Sequence, residues 1–118
     1  MTIENAIASL PVKDVKAAAG WYQRLLQRPP DSTPMPEIIE FKFPRGGWLQ
    51  VYQLPERAGQ GSVTLSVSDL PGVIAHVESM GVDTGERPSG GNVRTMMITD
   101  PDGNHIAFAE ATDHSVAR

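Results

Sequence analysis

Leu10-Pro-Val12-Lys-Asp14-Val15 returns 55 residues later as Leu65-Ser-Val67-Ser-Asp69-Leu70. In each copy an alternating apolar stretch runs into an aspartate and then into an amphipathic segment. That is the pattern of a strand leading into a capped helix. Two copies of one unit within 118 residues leave little room for a separate domain. Residues 1–118 therefore read as a single domain of two paired halves. Module one spans about 4–54 and module two about 61–111, with the site where the halves meet.

Working outward from the first copy, residues 5–12 alternate as a strand and Asp14 reads as a helix N-cap. Val15, Ala18, Tyr22 and Leu25 follow at helical spacing until Pro29-Pro30 stops the helix. The Pro30 to Pro36 loop has room for a short strand, Ile38 to Phe43 is a good strand, and Arg45-Gly-Gly47 turns the chain into a strand from Trp48 to Gln53. Pro55 to Gly61 links the halves. In the second copy Ser62 to Val67 is the strand and Asp69 the cap, with Pro71 in the first turn, where its missing N–H costs little. Val73, Ile74, Val77 and Met80 form the apolar stripe and Gly81 ends the helix. Val82 to Gly85 is the place for a short strand matching the one in module one. Asn92 to Thr99 and Ile106 to Glu110 are strands joined by the turn Asp100-Pro-Asp-Gly-Asn104, and a polar tail follows Ala111.

Composition narrows the chemistry. The chain has no cysteine, which removes disulfides, thiolate metal sites and cysteine nucleophiles. A net charge of −4 with scattered Lys and Arg argues mildly against nucleic acid and suits either a cationic ligand or solubility alone. No apolar run is long enough to span a membrane, and Met1-Thr-Ile-Glu lacks the pattern of a signal peptide, so cytoplasm is the expected location.

Strand periodicity sorts the side chains between two faces. Leu10 and Val12, Leu49 and Val51, Val63, Leu65 and Val67, and Ile106 and Phe108 pack under the helices. Left on the other face are Ile7 and Ser9; Trp48, Gln50 and Tyr52; Ser62, Thr64 and Ser66; and His105, Ala107 and Ala109. Of the adjacent Met96 and Met97, one must join them; Met97 is taken as the soft wall of the site. Large aromatics opposite small side chains leave a cleft for a planar ligand, or else fill space or form a dimer contact. Trp21 and Tyr22, on the first helix, read as core or dimer packing. His105 is either a base or ligand contact or a partly exposed residue at a strand start. His76 lies on the second helix, His114 in the tail, and Glu110 by parity is a surface residue opposite the cleft. No Ser-His-Asp elbow is present, and Gly46-Gly47 and Gly90-Gly91 have turn spacing, not that of a phosphate loop.

Leu10-Pro-Val12-x-Asp14 before a helix with Trp21-Tyr22 and Leu25-Leu26, Val67-Ser-Asp69, and above all Asp100-Pro-Asp-Gly-Asn104-His-Ile-Ala-Phe-Ala-Glu110 resemble the glyoxalase/bleomycin-resistance/dioxygenase superfamily, the vicinal oxygen chelate fold. The resemblance covers residues 4 to 111 and departs where the first helix usually ends in Leu-Gly, here Leu26-Gln27. It implies an α+β fold of two βαβββ modules related by a pseudo-twofold, with a mixed sheet curled into a cup, often in a homodimer. The metal ligands of the superfamily's enzymes map here to Ile7, Ser62 and Ala107, with a further position near Gln50 or Tyr52. Ile, Ser and Ala are not donors for Zn²⁺, Ni²⁺ or Fe²⁺, so no metal and no other cofactor is expected. The leading expectation is a metal-independent binder of an aromatic or cationic compound such as an antibiotic, with contacts from Trp48, Gln50, Tyr52, Ser62, Thr64, Met97, His105 and Ala107 and no catalytic residue. The alternatives are a lyase, isomerase or dioxygenase of the same superfamily, and a subunit whose cup is only structural.

Overall fold

The structure, a computed structural model, describes residues 1–85 and 93–111. Module one contains β1 (Ile7–Val12), α1 (Val15–Leu26), β2 (Ser32–Met35), β3 (Ile38–Lys42) and β4 (Trp48–Gln53). After a single 3₁₀ turn at Pro55–Arg57, module two contains β5 (Ser62–Ser66), α2 (Leu70–Ser79), β6 (Val93–Thr99) and β7 (His105–Ala111). The strands make a four-stranded sheet in the order β1-β4-β3-β2 and a three-stranded sheet in the order β5-β7-β6. In each, the first strand of the module runs parallel to the last and the remaining pairs are antiparallel. These are two βαβββ-like modules. The loop strand of module one is present as β2, whereas Val82–Gly85 is coil: Gly81 takes φ 77° and Gly85 φ 57°, which breaks the extended geometry a strand needs. The Gly90-Gly91 pair, His114 and the tail lie outside the described residues.

Both helices begin in the same way. Asp14 accepts from the Lys16 N–H at 3.0 Å and Asp69 from the Gly72 N–H at 3.1 Å, the caps expected of aspartate. The last strand of each module supplies a second cap. Gln53 Oε1 accepts from the Val15 N–H at 3.0 Å, and Glu110 Oε2 from the Leu70 N–H at 2.8 Å. Glu110 also pairs with Arg94. It keeps the parity expected of it but is not a surface residue, since its side chain is only 12% exposed. At its other end α1 stops in Gln27, whose φ of 61° is the left-handed value that glycine adopts most easily. The Gln27 side chain compensates by donating to His76 Nδ1 of α2.

Helix and strand periods place one apolar stripe against another. Val15, Ala18, Trp21, Tyr22 and Leu25 of α1 are buried with Leu10, Val12, Leu49 and Val51. Val77 of α2 is buried with Val63, Ile106 and Phe108. Trp21 and Tyr22 are thus core residues, packed edge to face with ring centroids 4.9 Å apart.

The modules are joined by one buried polar cluster. Asp100 and Asn104 close the β6–β7 turn and are 4% and 0% exposed. The Asn104 amide donates to the Pro11 carbonyl at 2.7 Å and to Asp100 Oδ2 at 2.8 Å, and accepts from the Gly61 N–H at 2.8 Å. Tyr22 donates its hydroxyl to Asp100 Oδ2 at 2.6 Å. Gly59 seals the seam: its φ is 85°, and a Cβ there would stand 2.2 Å from the Asp102 carbonyl oxygen.

Burial, and then the hydrogen bond to the Asp100 carboxylate, push the Tyr22 phenol far above its ordinary value. A pKa raised in the folded state stabilises fully below the unfolded value of about 10 and is lost as pH rises beyond it. Stability followed by urea unfolding is expected to fall more steeply above about pH 10 in the native protein than in Tyr22→Phe. Equal slopes would place the alkaline sensitivity elsewhere.

Candidate functional site

The face of each sheet turned away from its helix carries the residues singled out by parity. On sheet one the register aligns three rows across β1, β4 and β3. Ile7, Trp48 and Lys42 form the first; Ser9, Gln50 and Glu40 the second; Pro11, Tyr52 and Ile38 the third. On sheet two Ser62, His105 and Thr99 form one row, Thr64, Ala107 and Met97 the next, and Ser66, Ala109 and Thr95 the last. Met96 is buried, so Met97 is the methionine on the open face, 52% exposed.

The middle row of sheet one is a continuous polar ladder. Ser9 donates to Gln50 Oε1 at 3.3 Å, Gln50 Nε2 to Glu40 Oε2 at 3.1 Å, and Ser32 to Glu40 Oε1 at 2.8 Å. Each carboxylate oxygen thereby accepts one bond and keeps acceptor capacity for another. Glu40 is half-buried and is the only carboxylate at a strand position of either open face among the described residues. Beside the ladder Lys42 lies over the Trp48 ring, its Nζ 5.8 Å from the centroid. The Trp48 face therefore already accommodates a cation, as the quadrupole of an indole favours. Next to β3, Asp31 accepts from the Lys42 N–H at 2.7 Å and pairs with Arg28 at 2.6 Å. The Lys42 N–H holds the Asp31 carboxyl below the usual range, and Arg28 reinforces it.

Sheet two presents hydroxyls, small side chains and one imidazole. His105 is exposed, and its ring makes no hydrogen bond among the described residues. Ser62 and Thr64 are exposed and Ala107 half-buried. Trp48, Gln50 and Tyr52 stand together on one sheet, and Ser62, Thr64, Met97, His105 and Ala107 on the other. Trp48 and Thr64 line one cleft between the modules, which the other six do not. Sequence reasoning missed Glu40 and Lys42, although the Arg45-Gly-Gly47 turn that sets their register against β4 was in view.

Ile7, Ser62 and Ala107 do not fit a divalent metal: two carry no donor, and the third carries only an alcohol. Among the described residues no three His, Cys, Asp or Glu side chains gather into a group able to hold one.

No family model matches the sequence, and no curated protein matches it. Solved structures do. A glyoxalase/bleomycin resistance protein from Catenulispora acidiphila is 34% identical over 92% of this chain and 99% of its own, with a TM-score of 0.82. TnmS3, an antibiotic binding protein from Streptomyces sp. CB03234, shares the fold at 20% identity and a TM-score of 0.78, covering 94% of this chain and 98% of its own. A lactoylglutathione lyase from Agrobacterium tumefaciens does so at 17% identity and a TM-score of 0.78, covering 94% and 96%.

Proposed function

Since the chain belongs to the glyoxalase/bleomycin-resistance superfamily of the vicinal oxygen chelate fold, we propose that it binds a planar, positively charged small molecule, without a metal, on the open face of sheet one. Trp48 and Tyr52 supply stacking surface, Gln50 a hydrogen-bonding amide, and Glu40 the counter-charge. Of the residues on the other sheet, Thr64 lines a cleft with Trp48 and offers a hydroxyl to the ligand, while Ser62, Met97, His105 and Ala107 are proposed as outer contacts. The observation that carries this reading is the half-buried Glu40 carboxylate, held in the ladder next to an indole that already carries a lysine cation. A ligand cation displaces Lys42 from the ring and pairs with Glu40. Stacking and charge pairing retain a molecule without reacting with it, which suits sequestration of an antibiotic-like compound. An antibiotic-binding protein of the same fold is consistent with that role.

A matched pair of dyes tests it. 9-Aminoacridine is a cation near pH 7, and acridine has the same ring system but is neutral. The native protein is expected to bind the cation more tightly. Glu40→Gln is expected to weaken that binding about tenfold while leaving acridine within about twofold. Equal affinity for the two dyes, or no effect of Glu40→Gln, would contradict the role given to the carboxylate.

A homodimer belongs to the same proposal. Ile7, Met35 and Met97 are each more than half exposed, and Ile7 and Met97 stand on the open faces, where a second copy would cover them. Sedimentation at micromolar concentration is expected to give twice the 12.8 kDa of one chain; a monomer alone would count against it.

A further inference from the structure

The two turns that close the modules have the same backbone. Phe43 N–H donates to Gly47 O at 2.8 Å and Gly46 N–H to Phe43 O at 3.0 Å. The counterparts 57 residues on, Asp100 to Asn104 and Gly103 to Asp100, are 2.9 and 3.0 Å. Gly46 and Gly103 have φ of 103° and 101°. Their side chains differ. Asn104 reaches across to Pro11 and Gly61 and ties the first strands of the two modules together. The matching residue is Gly47, Phe43 stands where Asp100 does, and Val77 stands where Tyr22 does. At this turn the polar work is done locally: Asn5 accepts from the Ala6 N–H at 2.8 Å and donates to the Gly46 carbonyl. The seam is therefore stapled at one end and open at the other.

A cleft of about 970 Å³ occupies the open end, lined mainly from the helix-packed side of the sheets and also by Trp48, Thr64 and Ser66. Its walls come from both modules, Leu26 and Phe43 from one and Leu65, Val73 and Phe108 from the other. Apolar walls left open to water between two packed units are the usual setting of a small-molecule site, and the volume suits one. The charged groups decide what kind of molecule. Asp69 is spent on the α2 cap, and the His76 ring is engaged by Gln27 and the Arg24 carbonyl. Arg45 is exposed, and its side chain makes no hydrogen bond or ion pair among the described residues. We propose that this cleft is a second binding site, adjoining the open sheet face through Trp48 and Thr64, for an apolar molecule carrying one carboxylate, with the apolar body between the modules and the carboxylate on Arg45.

The probe is a dansylated undecanoic acid, whose fluorescence rises on leaving water, competed with dodecanoate, dodecanol and dodecyltrimethylammonium. The native protein is expected to take up the probe at one site and to release it to dodecanoate at the lowest competitor concentration. Arg45→Ala is expected to raise the dodecanoate needed about tenfold and leave dodecanol unchanged. Gly47→Asn re-creates the residue that closes the other turn. A Cβ at Gly47 meets only Phe43 Cδ2, at 3.9 Å, so the fold tolerates the change. This variant is expected to lose at least about fivefold in uptake of the probe while melting at or above the native temperature. Absence of uptake, uptake unchanged in Gly47→Asn, preference for the alcohol or the ammonium, or a second copy of the chain covering the cleft would each overturn the assignment.

Discussion

Asn104→Ala is expected to cost about 3–4 kcal/mol, enough to consume a large part of the 5–15 kcal/mol by which a domain of this size is stable. The fully buried amide makes three hydrogen bonds to three segments of chain. Removing it strands the Gly61 N–H and the Pro11 carbonyl in a water-poor seam, at about 1–3 kcal/mol for each group left without a partner. It also takes one donor from the Asp100 carboxylate, which then depends on Tyr22, the Asp102 and Asn104 N–H groups and whatever water enters. Part of the loss is recovered by that water, hence the total. Urea unfolding followed by circular dichroism checks the figure, with Ser62→Ala, at an exposed strand position, expected within about 0.5 kcal/mol of the native protein. A cost below about 1 kcal/mol for Asn104→Ala would mean the modules are held together by apolar contact alone.

Trp48→Ala is expected to weaken binding of 9-aminoacridine by at least about thirtyfold, a loss near 2 kcal/mol in which stacking area outweighs charge. An indole supplies more ring surface than any other side chain on this face, and Lys42 shows it to be accessible to a cation. The substitution frees Lys42 as well, which then faces the incoming cation unmasked and adds to the loss. Trp48 is half-buried and outside the core, so thermal stability is expected to fall by no more than about 1 kcal/mol. Affinity within threefold of the native value would remove Trp48 from the site.

Much of this molecule is legible in its sequence because its signals are local. Alternation along Ile7–Val12 and Ser62–Ser66, caps at Asp14 and Asp69, and helical spacing from Val15 to Leu25 each depend on a few neighbouring residues. The parity that put Leu10, Leu49, Val63 and Ile106 under the helices needs no knowledge of the partner strand. What was not legible depends on pairing over long separations. Asp100-Pro-Asp-Gly-Asn104 announces a turn, but that Asn104 reaches Pro11 depends on how two modules dock. Glu110 looked like a surface carboxylate because only α2, folded back onto β7, gives it the Leu70 N–H to hold. Glu40 and Lys42 join Gln50 and Trp48 through the β3–β4 register, which the length of one turn decides. Val82–Gly85 was matched to β2 by repetition, and its left-handed glycines override the match.

The most direct measurement is an NMR titration of the two indole N–H resonances with 9-aminoacridine, in buffer containing a metal chelator. Trp21 is buried in the α1 core and Trp48 stands on the open face, so the chain carries its own control. The Trp48 resonance is expected to shift and saturate while that of Trp21 stays in place. If neither moves, if Trp21 alone moves, or if Trp48 responds only after a divalent metal is restored, the open face of sheet one is not a metal-independent binding site.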